Sequence, residues 1–547
     1  MGDGMKILTA EEMGAADKRS VEAGVPVRAL MGAAGAAVAR FCLRRFAGEG
    51  LVVVLAGKGN NGGDGMVAAL SMAQSGRKVR VVLLGVASDL KGDAAAAFAA
   101  MKQHAVGMDV QEIADAVQME SALDGAALIL DAVVGTGFKP PLRGLATAAR
   151  DLLAKSSVPV VAVDLPSGWD ADSMEQSADG AFRGDAVVTF TAPKLAHVFG
   201  YLTTGRSFGP VVVAPIGTPE AAIQSATNLH WAGAAKALTE MPRAINGNKG
   251  KFGHVLLVGG AFGKAGAPSM ASVAAMRAGA GLVTAAVPRE ILPIVAAVAP
   301  ELMLTPLATE GSGGLSLEVL EDDPLKQLLK GITLVGIGPG LGQEGTTPEW
   351  VRTFVERVTL PMVIDADALN VIAGHTALLK KVAKSGQRTI VLTPHPGEMA
   401  RLAGMTVKQV EADRVGLARS FATEHGVTLV LKGWRTLVAH PDGRIAVNTT
   451  GNPGMAKGGS GDILTGIVSA MLAQYTNSKN GELDAAHVAQ VVEAAVFLHG
   501  LAGDFATLAQ DEHTVLATDT VGHLWQAFRA RVTDEDGLTW IAGTAAQ

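Results

Sequence analysis

The sequence predicts an α/β protein of two domains, each built on a mostly parallel sheet. Three observations carry that prediction. Short β-branched runs alternate with helix-length stretches along most of the chain. The runs are apolar throughout rather than alternating, as in strands covered on both faces. Many of them end in glycine-rich turns, where open α/β sheets bind ligands. The length, 547 residues, exceeds one ordinary domain.

The first half shows the pattern in order. Leu51–Ala56 (LVVVLA) leads into GKGNNGGDG and the helix-like MVAALSMAQSG. Val79–Leu84 is the next strand. Leu128–Val134 runs into GTGFKPPLRG, and Val158–Val163 into DLPSGWD. Ala186–Thr191 and Val211–Pro215 complete a doubly wound parallel sheet. The pattern loosens over 217–245, which has no clear strand, so the boundary is placed between a first domain, 1–225, and a second, 235–547.

The second half restarts with strand His254–Gly259 and the loop GGAFGKAGAPS. Strands follow at Leu282–Val287, Thr333–Ile337, Met362–Ile364, Thr389–Leu392 and Val427–Leu431. Thr436–Ala439 and Ile445–Asn448 read as a hairpin. Two helices, Asp462–Gln474 and Ala485–Ala502, come after a glycine loop.

Composition excludes several classes. Hydrophobic residues make up 48% and charged residues 18%, enough for large cores and unlike a disordered chain. The net charge is -6 with no Lys/Arg-rich run, so nucleic acid is not an expected partner. The single cysteine, Cys42, rules out an intrachain disulfide and fits a reducing, cytoplasmic setting. The N-terminal stretch MGDGMKILTAEEMGAADKRS lacks an apolar core, so no signal peptide is expected. The longest apolar candidate for a membrane span, 266–288, is broken by Arg277 and glycines, so no membrane partner is expected. The size and the Ala/Gly content allow a multimer, and a homo-oligomer is expected.

The stretch GNPGMAKGGSGDILTG, Gly451–Gly466, packs six glycines around one carboxylate, Asp462. It ends where a helix begins. A helix N-terminus offers free N–H groups and partial positive charge, and glycines let an anion approach them. The pattern suits a phosphate at the glycines, with Asp462 accepting a proton from an attacking hydroxyl. A glycine turn with a capping Asp is the plainer reading. Three further strand-end loops weigh against it. LKGWRT (Leu431–Thr436) supplies Lys, Arg and Thr, LTPHPGEMARL (Leu392–Leu402) carries His395 and Glu398, and GIGPGLG (Gly336–Gly342) adds glycines. Asp365 and Asp367 in IDADALN read as turn and cap residues rather than catalytic ones, the alternative being a strand-end carboxylate that touches metal.

Together with GHVLLVGG, GAPSMASVAAMRAGAGLVT and VIDADALN, these segments resemble the NAD(P)H-hydrate dehydratases, which have a ribokinase-like fold, over about 240–530. In the first half GKGNNGGDG, DAVVGTGF, VDLPSGWDAD and TAPKLAH resemble the NAD(P)H-hydrate epimerase domain, a Rossmann-like doubly wound sheet. The fused order resembles the bacterial bifunctional repair enzymes. The resemblance implies epimerisation of the R and S hydrates of NADH and NADPH (NADHX and NADPHX). It also implies ADP-dependent dehydration of the S hydrate back to NAD(P)H, with release of AMP and phosphate.

The resemblance also implies site residues. Asp462 would be the base and a hydrate contact. Lys432, Gly433, Trp434, Arg435, Thr436 and Gly461 would hold the nucleotide, with ADP preferred to ATP and Mg²⁺ balancing the phosphates. Ala267, Gly340 or Gly342, and His395 would line the hydrate pocket. Glu398 is either a first-turn helix acid or an organiser of Mg²⁺ through water.

GKGNNGGDG is neither a Walker A loop nor GxGxxG, though its N–H groups and Asn amides suit a diphosphate. The resemblance implies that Asn60, Asn61, Gly62, Gly63 and Asp64 bind the hydrate. Gly135, Thr136, Gly137, Phe138, Lys139, Pro140 and Pro141 would wrap it. Asn61, Asp131 and Ser167 would hold K⁺, a hard cation suited to oxygen ligands. Asp164 at a strand end would be the acid/base and touch substrate, with Lys194 tuning it. The plainer readings are an Asx turn for Asp164 and a surface lysine for Lys194.

Two alternatives differ in class. A ribokinase-like kinase of a vitamin precursor would share the GxGD loop without elimination, and the first half would then be a non-catalytic module. A hydride-transferring oxidoreductase lacks its GxGxxG and downstream ribose acid here.

Overall fold

The computed structural model describes residues 4–104, 108–203, 209–311, 313–384, 388–476 and 484–544. The chain forms two compact units, 1–229 with 531–547, and 230–530. The chain passes from the first unit to the second between Leu229 and His230. The expected second domain, 235–547, is corrected at its far end, because 531–547 belongs to the first unit.

The first unit is built on β1 (Leu51–Ala56), β2 (Val79–Leu84), β3 (Asp109–Ile113), β4 (Ala126–Ala132), β5 (Val160–Val163), β6 (Ala186–Phe190) and β7 (Val211–Ala214). With β18 (Thr539–Ala542) they make an eight-stranded sheet in the order β18-β7-β6-β5-β4-β1-β2-β3. All pairings are parallel except β18 against β7. The order reverses beside β1, between β4 and β2, which is where such sheets open a ligand crevice. The apolar runs become central strands that are buried apart from their ends, as their composition requires. The sequence reading missed β3 because DVQEI is a polar edge strand, and β18 because its partner is over 300 residues away.

GKGNNGGDG is not a free loop. Gly59 is the N-cap and Asn60 the first residue of the helix Asn60–Gln74. Gly62 and Gly63 are packing glycines. A methyl at Gly62 would meet the Gly57 carbonyl oxygen at 2.0 Å, and one at Gly63 the Met31 methyl at 2.7 Å.

The C-terminal return has a measurable consequence. Trp540 on β18 is 9% exposed, packs on Phe41 with ring centroids 6.1 Å apart, and donates Nε1–H to Asp534 at 2.9 Å. Trp540→Ala is expected to destabilise the first unit by about 3–5 kcal/mol in denaturant unfolding. A change below about 1 kcal/mol would show that β18 adds little to that core.

The second unit carries a ten-stranded sheet, order β11-β10-β9-β12-β13-β14-β15-β16-β17-β8. Its strands are β8 (Leu229–Trp231), β9 (His254–Val258), β10 (Leu282–Pro288), β11 (Met303–Leu307), β12 (Leu334–Ile337), β13 (Met362–Ile364), β14 (Ile390–Leu392), β15 (Thr428–Leu431), β16 (Leu437–Ala439) and β17 (Ile445–Val447). From β11 to β15 all pairings are parallel, and β15-β16-β17 is an antiparallel meander containing the expected hairpin. β8 lies in the stretch read as having no strand, and β11 carries Pro306, which suits an edge.

The glycine loop enters the helix Ser460–Tyr475, and Ala485–Ala509 follows. The second helix reaches a mean hydropathy of 1.4 over 18 residues, enough by length and composition to cross a membrane. This corrects the search for apolar stretches, which singled out 266–288. That stretch is a helix, Gly266–Arg277, followed by β10. Of the apolar window in Ala485–Ala509, 83% is buried inside the protein, which makes it a core helix.

Candidate functional site

In the second unit a cavity of about 670 Å³ opens beyond the ends of β13, β14 and β15. Its wall includes Lys432–Thr436, Ser460–Asp462, His395 and Glu398. Lys432, just after β15, is the electrostatic hub. Its Nζ lies 3.0 Å from Asp365 Oδ1 and 3.7 Å from Glu398 Oε2. Burial opposes its charge, but Asp365 and Glu398 outweigh burial and hold the ammonium above its ordinary value. Asp365 also accepts from Thr465 Oγ1 at 2.7 Å through its other oxygen. Asp365 is the N-cap residue of the helix Ala366–Ile372, as expected, but its side chain makes no capping bond and instead holds the lysine.

Asp462 stands in the first turn of the helix Ser460–Tyr475, behind Gly459 at φ 96°. Burial, then Asp365, pushes its carboxyl up to about 6 against the pull of Lys432. A side chain at Gly461 would crowd the lysine, since its first carbon would lie 3.2 Å from Lys432 Nζ. The backbone thus leaves open space beside a cation at a helix N-terminus, which is what a phosphate needs.

Neighbouring residues shape the cavity. Arg435 adopts φ 53°, stacks on Trp434 at 4.3 Å and donates Nη1–H to the Thr449 carbonyl at 2.6 Å. Positive φ at a non-glycine is costly and is held by surrounding structure. His395 is the N-cap of the helix Pro396–Ala403. Its Nδ1 accepts from Gly397 N at 3.0 Å and Glu398 N at 3.4 Å, while Glu398 Oε2 accepts from His395 N at 2.8 Å. Its Nε2 lies 3.5 Å from Glu398 Oε1, and the residue is part of the cavity wall. Glu398 is a first-turn acid that also faces Lys432.

Of the expected hydrate-pocket positions His395 lines this cavity, whereas Ala267, Gly340 and Gly342 lie outside its wall and close to one another. A methyl on Gly340 would lie 3.0 Å from the Ala267 methyl, and Gly342 N donates to Asp367 Oδ2 at 2.8 Å. Asp367 also reaches Lys264 Nζ at 3.6 Å, and its charge helps raise the Asp462 carboxyl.

Two buried groups escaped the sequence reading. Asp504 accepts from Gly451 N at 3.1 Å and Asn452 Nδ2 at 3.0 Å, fixing the start of the glycine loop. His499 lines the cavity with its ring held neutral, its pKa lowered to about 4 by burial and Lys432. Both lie in an apolar helix, and no local pattern sets them apart.

In the first unit a cavity of about 790 Å³ is lined by Asn60, Asn61, Asp64, Gly135–Phe138, Asp164 and Lys194. Asp164 follows β5 at φ 70°. Its carboxylate accepts from Thr136 N at 2.8 Å, Thr136 Oγ1 at 2.5 Å, Thr189 Oγ1 at 2.8 Å and Lys194 Nζ at 3.0 Å. Burial opposes the charge, yet Lys194, His197 and the Thr136 bond hold this carboxyl well below the usual range. Lys194 is 2% exposed, which corrects the surface-lysine alternative. Lys139 instead pairs with Asp170 and Asp172 at 2.7 and 2.9 Å, and neither it nor Pro140–Pro141 is among the cavity-lining residues.

Asp131 is buried beneath, accepting from Ser167 N at 2.7 Å and Ser167 Oγ at 2.6 Å. Burial pushes its carboxyl up to about 6, with no cationic side chain among the influences on it. Asn61 Nδ2 is buried without a partner. A methyl on Gly135 would lie 2.9 Å from Asp164 Oδ2 and 3.1 Å from Asn61 Oδ1, so these groups crowd one corner.

A glycine-bordered helix N-terminus, a partly buried lysine and a raised carboxyl meet at strand ends, an arrangement of the kind enzymes of phosphoryl transfer use. It is joined in one chain to a second α/β unit with a buried ion-paired carboxylate. A family model of NAD(P)H-hydrate dehydratase matches residues 255–525, and one of YjeF-related protein N-terminus matches 27–196. The bifunctional NAD(P)H-hydrate repair enzyme of Moorella thermoacetica is 39% identical over 530 residues, 95% of this chain and 96% of that one. That of Escherichia coli K12 is 34% identical over 94% of this chain and 92% of its own. The crystal structure of the ADP/ATP-dependent NAD(P)H-hydrate dehydratase of Bacillus subtilis, co-crystallised with ATP/Mg²⁺, is 28% identical. It covers 55% of this chain and 96% of its own, with TM-score 0.44. The chain belongs to the bifunctional NAD(P)H-hydrate repair enzymes. It combines NAD(P)H-hydrate epimerase and dehydratase, and the vitamin-kinase alternative falls.

Proposed function

We propose that the second unit dehydrates the S hydrate with ADP as phosphoryl donor and that the first unit interconverts the R and S hydrates. The observation that supports the dehydratase assignment most is the placement of Asp462, a carboxyl raised to about 6, at a helix N-terminus beside Lys432 and Gly461. Asp462 takes the proton of the hydrate hydroxyl as its oxygen attacks the β-phosphorus of ADP. AMP leaves, with charge balanced by Lys432 and the N–H groups around Gly461. Loss of phosphate from the ring carbon, with a proton from its neighbour, restores the double bond. Lys432–Thr436 hold the nucleotide, and Ala267, Gly340, Gly342 and His395 the hydrate.

K⁺ suits Asn61, Asp131 and Ser167. The Asp131 carboxylate is buried with hydrogen bonds but no cation, and oxygen donors suit a hard ion. Bound there, K⁺ would neutralise that carboxylate. Among the described residues no group of three or more His, Cys, Asp or Glu has metal-holding geometry, so Mg²⁺ would be carried chiefly on the nucleotide phosphates. A negative net charge and a single buried cysteine fit a cytoplasmic enzyme acting on small molecules, and a homo-oligomer is the expected assembly.

The test is recovery of reduced-nicotinamide absorbance from a mixed-epimer preparation of hydrated NADH with ADP. Complete recovery is expected. Recovery of about half, leaving one epimer behind, would remove the epimerase assignment, and recovery with ATP alone would remove ADP.

A further inference from the structure

The carboxyls of the first-unit cavity differ in what they touch. A carboxylate offers about four acceptor positions, and Asp164 has four donors on it. It is an anchored anion with no free position for a proton. Asp64, on the helix Asn60–Gln74, and Asp17, on the helix Ala10–Glu22, are the opposite case. Both line the cavity and both are partly buried. Among the described residues neither side chain has a hydrogen bond or ion pair. Asp17 lies outside the matched segment 27–196.

Their surroundings favour proton exchange. Burial raises the Asp64 carboxyl well above its ordinary value, helped by Asp164 and Asp17 and opposed by Lys194. Burial also raises Asp17, against the pull of Lys194 and with the push of Asp164. Other charges on the cavity wall are Lys18, beside Asp17, and Lys58, which is paired with Asp89 at 2.6 Å. Carboxyls pushed apart in this way are the usual division between an acid and an anchored anion.

We infer that Asp17 and Asp64 are the proton-transferring pair of the epimerisation, while Asp164 and Lys194 form the ion pair that anchors the site. This rests on the epimerase assignment above and revises the acid/base role expected for Asp164. The hydroxyl-bearing ring carbon lies beside the ring nitrogen. One carboxylic acid gives its proton to the hydroxyl oxygen. The C–O bond breaks, its electron pair leaves with water, and the nitrogen lone pair forms a C=N⁺ bond. Water then adds to the other face. The new C–O bond forms, the C=N π pair returns to nitrogen, and the partner carboxylate takes the excess proton. One water leaves and one enters, with no oxidant or reductant. The two carboxyls reset by exchange with cavity water.

The test uses the full-length chain, NADH hydrate enriched in one epimer, no nucleotide, and H₂¹⁸O. The R/S ratio and the label are followed together. Asp17→Asn and Asp64→Asn are each expected to lower kcat for epimerisation by about 100-fold or more with KM little changed. Asp17→Glu should restore part of the rate, and label should enter the hydroxyl at the rate of epimerisation. Dehydration of the S hydrate with ADP should be unchanged in every variant, and the melting curve reports first-unit folding. Wild-type kcat in Asp17→Asn, a loss confined to KM, or inversion without label would overturn the pair. A wild-type chain that does not epimerise at all would instead sink the epimerase assignment on which the pair rests.

Discussion

Asp462→Asn is expected to keep both ligands bound and to lose about 10³-fold in the rate of ADP-dependent dehydration. The amide matches the carboxyl in size and cannot take the hydroxyl proton. Epimerisation should be untouched. The wild-type pH profile carries the same cause. The Asp462 carboxyl is raised to about 6, so its basic form prevails above that pH and the rate should fall as pH drops through it. Steady-state recovery of absorbance between about pH 5 and 8 reads both effects. A variant with more than about a tenth of the wild-type rate would remove the base from Asp462.

The second large effect is expected from Lys194→Met. Lys194 and Asp164 are 2% and 7% exposed, and the lysine also donates to Thr189 Oγ1 at 2.8 Å. Removing one partner of a buried pair strands the other, at about 3–5 kcal/mol. The sign follows from the shift. In the wild type the Asp164 carboxyl is depressed, so its stabilisation is present above its unfolded pKa and is lost as pH falls through the folded value. In the variant burial is opposed less, the carboxyl rises, and stability is lost as pH increases. The gap between the two proteins should be widest near neutrality and should narrow below about pH 4, near the unfolded pKa of Asp. Denaturant unfolding at several pH values measures it. Equal stability at pH 7 would show that the pair contributes nothing to the fold. Epimerisation should fall with it, because the carboxylate that orders Thr136 loses its counter-charge.

The central strands were legible because a strand buried on both faces must be apolar throughout, and LVVVLA or VPVVAV admits little else. The strand-end loops were legible for a related reason, since glycine density marks close backbone approach. Edge strands were not legible. DVQEI and MLTPL are half-exposed and obey no strong pattern. Gly62 and Gly63 were read as ligand contacts, yet their missing side chains make room for Gly57 and Met31. Nothing local separates a glycine that admits a phosphate from one that admits a helix.

By itself the sequence determined the two α/β units, their parallel sheets and the carboxylate placed at a helix start in GGSGD, because each follows from periodicity and backbone freedom over a few residues. Only the tertiary structure decided partnership. It set Asp365 against Lys432 across 67 residues and Lys194 against Asp164 across 30, and it returned Trp540 to the first sheet. Burial and charge pairing depend on which chain segments meet, and the energy of a carboxylate is set by those neighbours and not by its place in the chain.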